Sequence, residues 1–475
     1  MDQLPDDMLA DVLRRLPPSS LAASRCVRKH WCSIIDARRL LRADLLPLRL
    51  DALYCTSLDA FEQLTYLFAR PAWAARRIPG GCLDFLEDYM ILEVQDHCNG
   101  LLFLCDMVVN PATRQWANLP TSPEPSIDDM LGGVRVWAGT TADQDNNDDH
   151  NLLYSSYYLV YDPMVESPQH FEVFLVPLLA HGLLGNRENI TIDLDEQQWP
   201  PSTLRIHVFS SRTWRWEERS WIRQGEPAGT MADMLQSDCW DRKAVYFRGA
   251  LYVHCQNDSV MRIALYNDKY QMMRSPATPS KLGAKYPTFY LGKSEKGVYS
   301  ALFYWVDWSS CPQFRVWLLK EKEEINNGNH IIHMEWVLKT IISIPPLHPD
   351  KLPLVQSGFA YDVWRVIRNY NNEEVPPADF AADDEWDFDN ADIVFDEAKD
   401  NKALEAKEHY HVDFLGFHPY KEIVFFSLRS GTISYNLNTA KVQWLGGRIH
   451  IPVGMSTSFP YTPCWLTLGE LFENS

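Results

Sequence analysis

Two periodicities divide the chain. Between Pro5 and Pro17, Met8, Leu9, Val12, Leu13 and Leu16 recur at helical spacing, with Asp11, Arg14 and Arg15 opposite. Asp6 and Asp7 suit the positive end of that helix, and Pro17 with Pro18 stops it. Ser19 or Ser20 can cap a second short helix through SLAASRCV. RKHWCSIID then supplies a third, whose Ile34 and Ile35 share a face with Val27 and Trp31. Three short helices in about forty residues bury too little apolar surface to stand alone. Their remaining faces are expected to be covered either by the rest of the chain or by another protein.

Farther along, short apolar runs separated by Gly, Pro, Asn and Asp predict strands. One unit recurs: GLLFLCDMVVNPATRQWANLP from Gly100 has two apolar runs, a turn at Asn110 and Pro111, and a strand opening near Trp116. The order of apolar run, polar turn and aromatic returns as RIHVFSSRTWRW from Arg205, MRIALYNDKYQMM from Met261 and GTISYNLNTAKVQW from Gly431. A longer-looped version begins at Arg315, and YYLVYDPMVESPQHFEVFLVP from Tyr157 supplies another hairpin. Spacing near fifty residues is about one four-stranded propeller blade. The expected class is α+β multidomain: a small three-helix module, then a mainly-β domain, a β-propeller of six to eight blades. Two β-sandwiches are the competing architecture. Seventeen tryptophans suit the propeller, because a bulky aromatic near the same strand of each blade fills the space between sheets.

Charge changes this picture in one place. The net charge of −19 argues against a nucleic-acid binder, which needs a basic face. Between Asn371 and His409 stand fourteen carboxylates and three lysines, more than half of that charge. Residues 371–408 are therefore expected to be a solvated acidic insertion, or, through Trp386, Phe388 and Phe395, a bait for a basic partner. The insertion lacks the glycine and terminal glutamate of a calcium-binding EF-hand loop. Ten scattered cysteines without CxxC pairs favour reduced thiols, hence cytoplasm or nucleus. The acidic, amphipathic start is unlike a secretory signal, and the apolar run from Phe171 is too short to span a bilayer and is broken by Pro177.

The residues of the first module resemble a known family. Leu4, Pro5, Leu9, Leu13, Leu16, Pro17, Leu21, Arg25, Val27, Lys29, Trp31 and Ile34 fall where the F-box has its characteristic residues. The likeness covers roughly residues 4 to 44 and departs from the usual plant pattern at Arg28 and Cys32. It implies a non-catalytic substrate receptor of an SCF (Skp, cullin, F-box) ubiquitin ligase. The expected docking residues for the Skp adaptor are Leu4, Pro5, Met8, Leu9, Val12, Leu16, Pro17, Leu21, Val27, Trp31 and Ile34, and the remainder recognises a target protein for ubiquitination. No cofactor, metal or membrane is implied.

A looser resemblance, to the F-box-associated domain of plant F-box proteins, rests on Asn99, Gly100, Leu101, Leu102, Asn110, Pro111, Thr113, Trp116, Leu119 and Pro120. Asp143 to Asp149 and the acidic insertion depart from it. The expected organisation is an F-box over 1–44, a connector over 45–90, the β-domain over 91–450 and a closing segment over 451–475.

Other chemistry has weaker support. His330, His333 and Glu335, or His409 with His411, are the best metal candidates, yet HxxH without HExxH spacing is a weak signal. No GxSxG, glycine-rich phosphate loop or CxxC redox pair is present. Trp137, Trp305, Trp308 and Trp386 could stack on sugars in a glycan- or ligand-binding module, and more often such residues are core. An F-box protein that occupies the adaptor without delivering a target is a further alternative.

Overall fold

The computed structural model describes residues 5–16, 21, 24, 27–38, 40, 49–58, 63–70, 78–86, 94–123, 153–163, 170–179, 197–235, 243–307, 311–326, 329–344, 364–367, 387–388, 393–394, 412–429, 431–447, 449, 455–465 and 473–474. Helix α1 (Asp6–Arg14) is preceded by Pro5, whose carbonyl accepts the Leu9 N–H, and α2 (Lys29–Ala37) packs against it. Most of the expected middle helix lies outside the described residues. Asp6 to His30 (3.2 Å) and Asp7 to Arg38 (2.5 Å) also tie the two helices together.

All else is strand-rich. β1 (Ala52–Leu58) and β2 (Gln63–Ala69) come first, in the stretch expected to be a connector. An antiparallel meander follows: β3 (Val94–Cys98), β4 (Leu101–Leu104), β5 (Met107–Asn110) and β6 (Gln115–Asn118). Its tight turns put Asn99 and Gly100, then Cys105 and Asp106, at positive φ, which matches the right-handed twist of the flanking strands. Asn110 closes the next turn, its Oδ1 accepting the Ala112 N–H at 3.1 Å.

Next come β7 (Leu153–Tyr161), β8 (Phe171–Leu179), β9 (Gln198–Trp199), β10 (Thr203–Ser210), β11 (Arg215–Gln224) and β12 (Gly229–Thr230). A short helix, α3 (Met231–Leu235), leads to β13 (Ala244–Phe247), β14 (Ala250–His254), β15 (Val260–Ala264) and β16 (Lys269–Met273). β7, β8, β10 and β11 form one meander and β13 to β16 another; a parallel pairing of Ile222–Gln224 with Lys269–Gln271 joins them into an eight-stranded sheet, while β9 pairs with β12. β17 (Lys285–Ser294), β18 (Gly297–Trp305), β19 (Gln313–Asn326) and β20 (Asn329–Ser343) make the fourth meander.

β21 (Arg365–Ile367) joins the edge of β2, and β22 (Ile393–Val394) pairs with the last strand of a meander built from β23 (Val412–Phe417), β24 (Ile423–Leu428), β25 (Thr432–Asn436) and β26 (Lys441–Gly446). β27 (Met455–Tyr461) then pairs with β1, Tyr54 opposite Phe459, so strands from opposite ends of the β-region share one four-stranded sheet. β28 (Glu473–Asn474) adds to β6.

Two expectations need correcting here. The stretch over 45–90 contributes β1 and β2, central strands of the closing sheet, because their partners β27 and β21 lie hundreds of residues away and leave no local signal. The acidic insertion is not wholly solvated: Phe388 is 3% exposed, and β22 pairs with β26. The rest of the insertion falls outside the described residues.

The innermost strands pack side by side in succession, β3 on β7, β7 on β13, β13 on β17, β17 on β23 and β23 on β27. Apolar clusters fill the spaces between neighbouring meanders; one, with Tyr299, Phe314, Phe426 and Trp444, lies between the β17–β20 and β23–β26 meanders. Glu422 locks the same pair, accepting from Tyr299 Oη (2.6 Å), Lys296 Nζ (2.9 Å) and Lys339 Nζ (3.1 Å). Burial alone would raise its pKa, but these donors hold it down to about 2. Glu422→Ala leaves the buried hydroxyl and two ammonium groups without their acceptor and is expected to cost about 1–3 kcal/mol, read from urea unfolding at neutral pH.

Candidate functional site

The N-terminal stripe divides into two surfaces. Leu9, Leu13, Leu21 and Ile34 are buried and belong to one apolar cluster that continues into the β-region, with Leu16 and Trp31 half-buried against it. Met8 (56% exposed), Val12 (49%) and Val27 (57%) face outward together with Pro5. Met8 and Val12 are one turn apart on α1 and form an apolar ridge that stands about half exposed among the described residues. Leu4 and Pro17 lie outside the described residues.

A second feature is a cavity of ≈ 240 Å³ enclosed by β3, β13, β17, β23 and β27 and the segments that follow them. Asn99 and Gly100, singled out in the sequence, sit on its rim. Asn99 Nδ2 donates to the Tyr161 carbonyl at 2.6 Å, and its Oδ1 accepts from Lys293 Nζ at 3.0 Å. Gly100, at φ +91°, lets the C-terminal segment approach: a Cβ there would stand 2.6 Å from Cys464.

Asp96, His97, Lys243 and Lys293 also line the cavity, and nothing in the sequence marked them. They come from β3, from the residue just before β13 and from β17, so only closure of the fold gathers them. Asp96 accepts the Leu159 N–H at 2.6 Å; burial raises its pKa to about 7 against the pull of that bond and of both lysines. The His97 ring lies flat on Phe459, centroids 3.9 Å apart and 11° between planes. Burial, then the charges of Lys293 and Lys243, lower its pKa to about 3, so the ring is neutral.

These two groups give opposite pH dependence. The unfolded chain takes up the histidine proton below about 6.5, so His97 contributes stability that is present above that pH and is lost as pH falls toward 3. Asp96 holds a proton in the folded state up to about pH 7, so its contribution grows as pH falls from 7 toward 3.8. His97→Phe is therefore expected to flatten the loss of stability between pH 7.5 and about 5, and Asp96→Asn to steepen it, each on the order of 2 kcal/mol in urea-unfolding free energy.

The other chemical candidates do not converge on either feature. His333 and Glu335 are exposed on β20, and His330 is on the same strand. Trp305 is buried in the cluster between the β17–β20 and β23–β26 meanders, at 6.2 Å from Phe303. His409, His411, Trp137, Trp308 and Trp386 lie outside the described residues. Among the described residues, no group of three or more His, Cys, Asp or Glu side chains could hold a metal ion, and no helix is long and apolar enough to cross a membrane.

Comparison with known proteins places the N-terminal helices. Residues 1–43 match the F-box domain. Over 130 residues the chain is 27% identical to Putative F-box protein At3g52320 of Arabidopsis thaliana, covering 25% of this chain and 33% of that protein. It is 31% identical over 143 residues to F-box protein At2g34280 (27% and 36% covered), and 27% identical over 139 residues to F-box only protein 8 (26% and 44%), both from the same plant. The chain thus spans about a third of the length of the first two relatives and under half of the third.

Proposed function

From the F-box domain that the chain carries at residues 1–43, ahead of its mostly-β region, we propose that it is the substrate-recognition subunit of an SCF ubiquitin ligase. The F-box docks on a Skp adaptor and through it on a cullin-based ligase. The β-region, read as a six-bladed β-propeller, holds a target protein. Five meanders in chain order, adjoining inner strands, and a closing sheet that combines β27 with β1 and β2 as the sixth unit support the propeller reading. In this reading the chain contributes binding and placement, the ubiquitin chemistry belongs to its partners, and its place is the cytoplasm or nucleus.

The observation that carries the proposal is the outward ridge of Met8 and Val12 on a helix whose other apolar residues are already used in the core. An apolar ridge left open on an F-box helix has the chemistry of a docking surface. The test is co-purification of the full chain with a recombinant Skp adaptor. A stable complex is expected, and its absence at micromolar concentrations overturns the proposal.

A further inference from the structure

We infer that the outer edge of β20 is a self-association surface, pairing with the same strand of a second copy of the chain, a role separate from adaptor docking. The fold covers its outer strands, at least in part, by adding strands to them. β28 joins β6, β22 joins β26, β21 joins β2, and the outer strands β11 and β16 join one another. β20 is the longest described strand, fifteen residues, yet it ends its sheet and pairs with β19 alone among the described residues. Every described strand already belongs to a sheet, so none is left over for it. Near its start β20 is held to β16, Gln271 Nε2 donating to the Ile332 carbonyl at 3.0 Å, which leaves residues 337–343 as the open edge. Such an edge presents backbone N–H and C=O groups that template a further strand.

The side chains along this edge favour pairing where another open stretch repels it. Beyond its junction with β16, β11 runs through Arg215, Glu217, Glu218 and Arg219, and charges of that kind protect an edge. Over residues 337–342, β20 has a single charge, Lys339, whose Nζ is turned onto Glu422 (3.1 Å) and Asn438 (2.7 Å) of the β23–β26 meander. The register with β19 slips at Lys339, so that Leu338 stands opposite Trp317 and Ile341 opposite Arg315. Trp317 and Arg315 are two residues apart, hence Leu338 and Ile341 share one face although three residues separate them. They are 47% and 42% exposed, and half-buried Trp336, opposite Leu319, continues the stripe. Antiparallel pairing about a two-fold axis near Lys339 and Thr340 brings Leu338 of each copy beside Ile341 of the other, so the apolar pair covers itself. This match to itself in length, direction and apolar pattern selects a second copy over an unrelated peptide. The slip also bends the strand, which keeps the pairing short and the association weak.

The test is sedimentation velocity of the full-length chain without adaptor, from about 1 to 100 μM. A reversible monomer–dimer equilibrium with Kd on the order of 10 μM is expected, since a short edge pairing buries less than a standard interface. Leu338→Lys combined with Ile341→Lys is expected to raise Kd at least tenfold with circular dichroism and thermal unfolding retained, because both side chains are already about half exposed. Ile222→Lys, which charges an exposed apolar residue of β11, and Val12→Asp on α1 are the matched controls and should dimerise like the parent. A dimer that survives in the folded double variant, or one lost equally in either control, overturns the inference. A chain still monomeric at about 100 μM overturns it too, and leaves the edge to an extended peptide of another protein or to another segment of this chain. If the lysine variant fails to fold, Leu338→Thr with Ile341→Thr keeps strand propensity and decides by the same shift in Kd. Adaptor co-purification is a separate readout, so failure of one proposal does not imply failure of the other.

Discussion

Val12→Asp is expected to abolish capture of the Skp adaptor while the circular dichroism and thermal unfolding of the chain remain those of the parent. The side chain is about half exposed on α1, so a carboxylate is well solvated in the free protein and is stranded only when a partner covers the ridge. Losing one buried aliphatic contact costs about 1.5–3 kcal/mol, and desolvating an unpaired charge adds to it, so affinity should fall well over tenfold. Met8→Glu should behave alike. Asp11→Ala, which removes only a surface pair with Arg14, is the matched control and should bind normally.

Leu9→Arg separates the two surfaces of the helix. Leu9 is buried in a cluster that continues into the β-region, so this change should destabilise the chain itself. Adaptor capture retained in Val12→Asp and Met8→Glu would make the ridge an incidental surface and remove the support for the ligase reading. Capture lost together with the fold in those two variants would place the ridge in the chain's own packing, with the same consequence.

Phe388→Ala is expected to cost about 3–5 kcal/mol of stability despite its position in the most acidic stretch of the chain. Its ring meets Trp364, Phe425 and His418 edge-on at 6.2, 5.6 and 5.1 Å, and Lys421 lies over it at 6.0 Å. The adjoining Asp387 carbonyl accepts from Gln443 Nε2 at 3.0 Å, and β22 extends the sheet beyond β26. Replacing residues 372–408 with a Gly/Ser linker should therefore lower the urea midpoint at least as much as Phe388→Ala. An unchanged midpoint for both variants would show that the acidic stretch contributes nothing to the fold.

Local order determined the N-terminal helices and the hairpins. The stripe from Met8 to Leu16, bounded by Pro5 and Pro17, specifies a helix within a few turns of chain, and the structure places α1 at Asp6–Arg14. The turn at Asn110–Pro111 was equally legible, because Asn and Pro act on their own backbone. Cys105 and Asp106 form a turn with two positive φ angles and no glycine, so no residue signalled it.

Tertiary structure alone decided which half of a helical stripe stays outside. Leu9 and Val12 carry the same hydropathic signal, yet one is buried and the other about half exposed, because burial depends on what packs against the helix and not on its own spacing. It also decided that β1 and β2 close a sheet with β27, that an aromatic among carboxylates enters the core, and that Asp96, His97, Lys243 and Lys293 line one cavity. Each of these joins residues far apart in the chain. Hydrophobic periodicity reports which face of an element seeks cover, whereas pairing between distant strands is set by closure of the whole fold, where side chains without any shared motif become neighbours.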